Sequence, residues 1–104
     1  MKFLVISKPI DNNLSVQKIA SLLTESQQWI RKHKETGEIE ALFSFLDFSK
    51  NGCISIVNYS SHEALDAALQ EFPWNNYIRY EIYPLCDLEK SIENALKGLP
   101  RDSQ

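Results

Sequence analysis

Short apolar segments along this chain alternate with stretches whose apolar residues recur at helical spacing. Residues 3–7 are mostly β-branched, aliphatic or aromatic and are closed by Pro9, which predicts a first strand. Between residues 14 and 36 apolar positions recur every three or four residues, so we predict a helix that stops at Gly37. The predicted helical stripe is Val16, Ile19, Ala20, Leu23, Gln27 and Ile30, with Leu22 and Trp29 on its flank.

Two further strands, 39–46 and 53–58, flank the pair Asn51-Gly52. That pair supplies the positive φ angles of a tight hairpin, so the strands are predicted to be antiparallel neighbours. A capping box from Ser60 to Glu63 then begins a second helix, which stops at Pro73.

Residues 77–83 are the fourth predicted strand, and Asp87 is positioned to cap a last helix. The resulting order, β-α-β-β-α-β plus a C-terminal helix, predicts an α+β, ferredoxin-like domain with a four-stranded antiparallel sheet. We expect a single domain over residues 1–99 and a flexible tail over 100–104.

Strand alternation divides the predicted sheet into two faces. The nearly all-apolar face, predicted to lie under the helices, contains Phe3, Val5, Ile39, Ala41, Phe43, Phe45, Ile54, Ile56, Ile78, Tyr80 and Ile82. The other contains Leu4, Ile6, Glu40, Leu42, Ser44, Leu46, Ser55, Val57, Tyr77, Arg79, Glu81 and Tyr83. This second face is too apolar for water, so it predicts a homodimer, a dimeric α/β barrel with polar residues lining a cavity between two sheets. Alternatively, the C-terminal helix folds back over it.

Composition narrows the class of protein. The net charge is −3 and the only basic cluster, Arg31 to Lys34, is short, so neither nucleic acid nor an anionic membrane is an expected partner. The longest apolar run, Phe3 to Ile6, is far below the roughly 20 residues of a membrane span. We expect a cytoplasmic protein in which Cys53 and Cys86 remain reduced.

The second half of the chain resembles muconolactone isomerase. The resemblance rests on Ser61-His62-Glu63-Ala64-Leu65, Leu69, Phe72-Pro73, Tyr77, Glu81-Ile82 and Leu85-Cys86. It implies a dimeric α/β-barrel domain, assembled further into a ring in some members, and a cofactor-independent proton shift on a small unsaturated lactone. No catalytic residue is carried across, and the segment from Arg31 to Phe48 departs from the family's pattern.

A proton shift beside a carbonyl needs a base and a group that stabilises the developing oxyanion. The candidate catalytic residues on the second face are Glu81, Arg79 and Glu40, and the candidate ligand-binding residues are Tyr83, Tyr77, Ser44 and His33. For Arg79 and Glu81 the more ordinary interpretation is a cross-strand salt bridge or a contact with the partner subunit. His33, at the end of the first helix, is expected to be solvated or paired with the helix dipole. The two histidines are isolated, so no metal site is expected. No cofactor is expected either.

Three functions remain open at this level. The first is a small-molecule-binding, isomerase-type enzyme, and the second is a non-catalytic dimerisation or sensing module. The third is a cofactor-free monooxygenase of the same superfamily, which requires either a histidine in its pocket or a set of Asn, Trp and His; in this sequence His33 alone supports it.

Overall fold

The computed structural model describes residues 1–10 and 13–100. Its elements are β1 (Lys2–Pro9), α1 (Val16–Glu35), β2 (Ile39–Ser44), the short helix α2 (Phe48–Asn51), β3 (Cys53–Asn58), α3 (His62–Glu71), a 3₁₀ turn (Asn75–Tyr77), β4 (Ile78–Pro84) and α4 (Leu88–Lys97). All strand pairs are antiparallel, in the order β2-β3-β1-β4. The predicted ferredoxin-like arrangement is confirmed.

The ends of the helices follow local capping chemistry. α1 ends just before Gly37, which has a φ of +82° and stops the helix as predicted. The cap of α3 is Ser61 rather than the predicted Ser60, and its Oγ accepts a hydrogen bond from the Ala64 amide at 3.0 Å. Asp87 caps α4 as predicted, since its carboxylate accepts from the Lys90 amide at 3.0 Å.

The packed face of α1 is rotated from the predicted stripe towards its flank, since Ile30 and the flanking Leu22 and Trp29 are buried or pack against the core. Val16 is 83% exposed and Leu23 is also exposed, whereas Leu22, Ser26 and His33 are buried. The prediction followed the spacing of mainly apolar residues, but the face of α1 that packs on the sheet includes the polar side chains of Ser26 and His33. A packed amphipathic helix normally buries apolar residues, so these buried polar side chains mark a candidate site.

The strand register corrects the predicted faces of β3. Val57 is paired with the buried Phe3 of β1, so Val57 faces the helices. By alternation the helix-facing residues of β3 are Cys53, Ser55 and Val57, and those on the opposite, open face are Ile54 and Ile56. The prediction assigned the isoleucines to the core because they are the larger apolar residues.

A bulge between Ile39 and Ala41 corrects the faces of β2. The extra residue reverses the alternation, so that Leu42 and Ser44 face the helices. Uninterrupted alternation had predicted the opposite. The faces of β4 agree with the prediction, except that Tyr77 lies in the 3₁₀ turn before the strand.

The corrected open face is largely apolar, as the predicted one was. Its apolar residues are Leu4, Ile6, Ala41, Phe43, Ile54, Ile56 and Tyr83. α4 does not cover them: the chain measures 66 × 28 × 22 Å, and Leu88 and Leu96 of α4 are 71% and 63% exposed. In the single chain, therefore, the alternative in which α4 folds back over the sheet is not realised.

Candidate functional site between the sheet and the helices

Three small residues lie at the centre of the helix-facing side of the sheet. Ser7 of β1 is paired with Cys53 of β3, and Ser55 is two residues further along β3. A buried sheet face normally carries large aliphatic residues here, and the small side chains leave space. A cavity of about 60 Å³ lies over them, and the residues that cover it include Trp29, Ile30, Leu69, Phe72 and Tyr80.

The described cavity is smaller than a ring-shaped metabolite. Its volume is about 60 Å³, whereas a cavity that holds benzene measures about 150 Å³. Trp29 and Phe72 cover it with their rings, whose centroids lie 4.9 Å apart. A ligand of six or seven carbons would therefore enter by displacing these side chains.

Two polar atoms of residues that line the cavity are buried without a protein partner among the described residues. They are Nε1 of Trp29 and Oη of Tyr80. Burial, with a smaller effect of Cys53, raises the pKa of Tyr80, so its hydroxyl is protonated at neutral pH and can donate a hydrogen bond. The indole N–H is a donor only. Buried polar groups are normally hydrogen-bonded, so the pair is suited to oxygen atoms of a ligand.

The thiol in the cavity is poorly suited to act as a nucleophile. Burial raises the pKa of Cys53, although a hydrogen bond with Ser7 opposes the shift. The protonated thiol is a weak nucleophile, so Cys53 contributes shape rather than covalent chemistry.

His33 is buried rather than solvated, contrary to the prediction, and is only 6% exposed. Its Nδ1 lies 3.0 Å from Oε1 of Glu38, which also accepts a hydrogen bond from Thr36 Oγ1 at 2.6 Å. The Tyr59 hydroxyl lies 3.4 Å from the same Nδ1. A proton on Nδ1, directed at the Glu38 carboxylate, leaves Nε2 as a proton acceptor, and Nε2 is buried without a protein partner in the described structure.

His33 adjoins the cavity through Trp29. The two rings stack with centroids 4.0 Å apart. Ser26, Trp29 and His33 follow one another at helical spacing, and each has a buried polar atom without a protein partner in the described part of the chain. α1 therefore presents a polar row where a packed helix would present an apolar one.

The predicted catalytic residues on the open face are not all brought together. Glu40 lies on edge strand β2, where the Lys2 ammonium is 3.0 Å away and Asn58 donates at 3.3 Å. Hydrogen bonds from Lys2 and then Asn58 hold the pKa of Glu40 below its usual value. Glu81 lies on the other edge strand, β4, three strand spacings or about 14 Å away within one chain.

The β4 candidates do share a surface. Glu81, Arg79 and Tyr83 project from the open face, and the Tyr83 hydroxyl donates to Glu81 at 3.4 Å. Lys8 lies 3.7 Å from Glu81. All three candidates are exposed, so within one chain they form a polar patch rather than a pocket.

The other two predicted ligand-binding residues lie elsewhere. Ser44 faces the helix side at the end of β2, and Tyr77 packs in its turn against Trp74, with centroids 5.9 Å apart. Sequence reasoning missed Trp29 and Tyr80. The available signal was the polar alternation of β3, in which Cys53 and Ser55 occupy the inward positions.

Fold and site together define a ferredoxin-like domain with a small, mainly apolar chamber between sheet and helices. The chain belongs to the muconolactone delta-isomerase family, whose model matches residues 1–91. No curated protein sequence matches it.

Two solved structures share the fold. One is a crystal structure of muconolactone isomerase, with a TM-score of 0.76 and 22% identity, covering 88% of this chain and 95% of that one. The other is 5-chloro-2-hydroxyhydroquinone dehydrochlorinase from Burkholderia phenoliruptrix, in complex with 2,5-dihydroxybenzoquinone, with a TM-score of 0.68, 14% identity, and coverage of 86% and 98%.

Two further observations concern residues 1–10 and 13–100 alone. No helix there is both long and apolar enough to cross a membrane. No group of three or more His, Cys, Asp or Glu side chains is placed to hold a metal ion.

Proposed function

We propose that the chain is a cofactor-independent isomerase that shifts a proton on a small unsaturated lactone or unsaturated acid. The observation that carries the proposal is the set of buried, unpartnered polar atoms at the junction of α1 and the sheet: Trp29 Nε1, Tyr80 Oη and His33 Nε2. Membership of the muconolactone delta-isomerase family supports the reaction class.

The chemistry divides between donors and an acceptor. Trp29 and Tyr80 donate hydrogen bonds to the carbonyl or carboxylate oxygen, and so stabilise the negative charge that develops there. His33 Nε2 takes a proton from the carbon next to the conjugated system and returns it to the far end of the shifted double bond. The bond order moves and no atom is gained or lost, so no oxidant or cofactor is required.

Trp29 has a second role in this proposal. Its side chain lines the cavity, and its ring contacts the imidazole of His33. A ligand that displaces Trp29 from its stack on His33 enlarges the cavity and reaches Nε2. The described state is then the closed one.

The proposed assembly is a homodimer formed by two open sheet faces. Covering a few hundred Å² of apolar surface at about 25 cal/mol per Å² contributes several kcal/mol, comparable with the stability of a small domain. In the dimer Arg79, Glu81 and Glu40 of both copies would border the inter-sheet space, so the site predicted on this face is the second candidate for the ligand.

A cofactor-free monooxygenase is the alternative enzyme, and the adjoining Trp29 and His33 rings favour it. Oxygen uptake with a quinol substrate would identify it. A non-catalytic sensing module would bind the ligand without proton exchange or oxygen uptake.

The test combines a ligand screen with variants. Unsaturated lactones and acids are screened by thermal shift, and hits are followed by NMR in D₂O for exchange of the acidic carbon-bound proton. His33→Gln should lower the exchange rate about 100-fold or more while the ligand still binds. The control His62→Gln removes an exposed imidazole and should change little.

The outcomes separate the two candidate sites. Loss of exchange in His33→Gln alone supports the helix-side site. Loss in Glu81→Gln or Arg79→Ala, with His33→Gln unaffected, contradicts it and favours the open face.

A further inference from the structure

We propose that the chamber between the sheet and the helices selects an uncharged ligand, an unsaturated lactone that carries no carboxylate or other anionic group. The inference rests on the proposed function, which leaves lactones and unsaturated acids open, and it narrows that choice to the neutral class. It is carried by the chemistry of the cavity lining and by the placement of the charged residues around it.

The side chains that line the described cavity are all uncharged at neutral pH. Most are aliphatic or aromatic, and the polar groups among them are hydroxyls, one thiol and the Trp29 indole. A carboxylate that enters such a lining loses its hydration and gains no cation, and an unpaired buried charge is strongly destabilising. A neutral lactone loses far less hydration on entering the same space.

The two unpartnered donors of the lining match one carbonyl oxygen. Trp29 Nε1 and Tyr80 Oη are buried without a protein partner in the described part of the chain, and each can donate one hydrogen bond. A carbonyl oxygen has two lone pairs, whereas a carboxylate offers about four acceptor sites. Two neutral donors can therefore satisfy a lactone carbonyl but leave a carboxylate largely unsatisfied.

The basic residues of the four strands lie on the opposite side of the sheet. They are Lys2, Lys8 and Arg79, and all three are exposed. Lys2 and Lys8 are sequence neighbours of the helix-facing Phe3 and Ser7, so alternation directs them to the open face, and Arg79 is paired with Lys8. An anionic ligand would therefore find cations on the open face and not in the chamber.

Carboxylates give the wall of the chamber a negative potential. α3 contributes Leu65 and Leu69 to the lining, and its sequence holds acidic residues but no lysine or arginine. Burial, followed by the carboxylates of Glu38 and Glu71, raises the pKa of Tyr59, which also lines the cavity. An anionic ligand beside Tyr59 would experience the same repulsion as the tyrosinate.

The basic residues of α1 near His33 do not reverse this balance. Arg31, Lys32 and Lys34 are exposed, whereas His33 is buried. Residues one or two positions apart do not share a helix face, so these three side chains are not directed towards the sheet with His33. Their charges lie in water, where salt screens them.

The proposed proton shift favours the same class of ligand. When His33 Nε2 takes the carbon-bound proton, an imidazolium and an enolate form together. The Glu38 carboxylate already lies 3.0 Å from Nδ1 of that imidazole, so the site then holds one cation and two anions. A ligand that also carries a carboxylate would add a third anion with no cation to balance it.

Three ligands built on one ring test the inference with the full chain at neutral pH. They are a five-membered unsaturated lactone with a methyl substituent, the same lactone with a carboxymethyl substituent, and the primary amide of that acid. The amide has nearly the shape of the carboxylate without its charge. Dissociation constants are measured by isothermal titration, and exchange of the acidic ring proton is followed by NMR in D₂O.

We expect the amide and the methyl lactone to bind about ten-fold more tightly than the acid, or better. Ser55→Val fills the chamber and should abolish binding of both neutral ligands. The matched control is Ser60→Val, because Ser60 is exposed and lies outside the cavity lining; it should leave their affinities unchanged.

The outcomes separate this inference from the proposed function. If the acid binds as tightly as its amide and loses that binding in Ser55→Val, the selection of neutral ligands is overturned and the isomerase proposal stands. Neutral ligands that bind tightly without proton exchange support the selection and contradict the isomerase. Neutral ligands that do not bind contradict both.

Discussion

Filling the cavity beneath Trp29 tests whether this cavity is a ligand site or a packing defect. Ser55 points into the cavity from the helix-facing side of β3. Ser55→Val adds carbon where there is space and replaces a half-buried serine by a β-branched residue that suits a strand. The side chain itself blocks the place where a ligand would lie.

The magnitude follows from the cavity. At about 24 cal/mol per Å³, removing a void of 60 Å³ stabilises the fold by about 1.4 kcal/mol. For a domain of this size that is a rise of about 5–10 °C in Tm. The same substitution should abolish the thermal shift caused by a lactone or unsaturated acid, so stability and binding should change in opposite directions.

Urea denaturation and ligand thermal shift are the assays. Ser44→Val is the matched control, because Ser44 is exposed at the end of β2 and lies outside the cavity lining; its stability should stay within about 0.5 kcal/mol. A Ser55→Val protein that is less stable than the parent, or that binds ligand unchanged, would refute the assignment.

Two further predictions concern two glycines with positive φ and the buried Tyr59. Gly52 has a φ of +83°, and an added Cβ would overlap the Ser7 carbonyl, so Gly52→Ala should lower the free energy of unfolding by about 3 kcal/mol in urea melts. Gly37→Ala, with a φ of +82° and open space, should cost only about 1–2 kcal/mol; equal losses would contradict the close approach. Burial, followed by the Glu38 and Glu71 carboxylates, raises the pKa of Tyr59 to about 12. The free energy of unfolding should therefore keep the full contribution of Tyr59 below about pH 10, where the tyrosine of the unfolded chain starts to ionise. It should decrease as the pH rises towards 12, and urea midpoints measured across this range would show the decrease. Tyr59→Phe should flatten that fall, and an unchanged slope would argue against the buried phenol.

The fold was predictable because its signals are local. Helix caps, Gly37 and the order of the elements specify the ferredoxin-like arrangement without long-range information. Two features were not local: the bulge after Ile39 and the register that turns Ser55 inward. Both change the side of the sheet on which side chains lie, and neither can be recognised from the pattern of apolar residues.

The candidate site was missed for the same physical reason. Reasoning from hydrophobicity assigns polar residues to solvent, so Ser26 and His33 were not expected to face the sheet. Sites are where polar groups are buried at a cost to stability, and such positions are where pattern-based prediction fails. The open face was predicted to be an apolar surface that a partner covers, and its apolar character is observed. Half of its central residues were nevertheless assigned to the wrong side of the sheet.

The most direct test of where the ligand binds uses the two indole N–H signals in a ¹H–¹⁵N NMR spectrum. Trp29 lines the cavity, whereas Trp74 lies outside its lining and packs against Tyr77. Titration with an unsaturated lactone that gives a thermal shift should move the Trp29 signal and leave that of Trp74 in place. A titration that perturbs the backbone of Arg79 and Glu81 while the Trp29 signal stays fixed would contradict a site between the sheet and the helices.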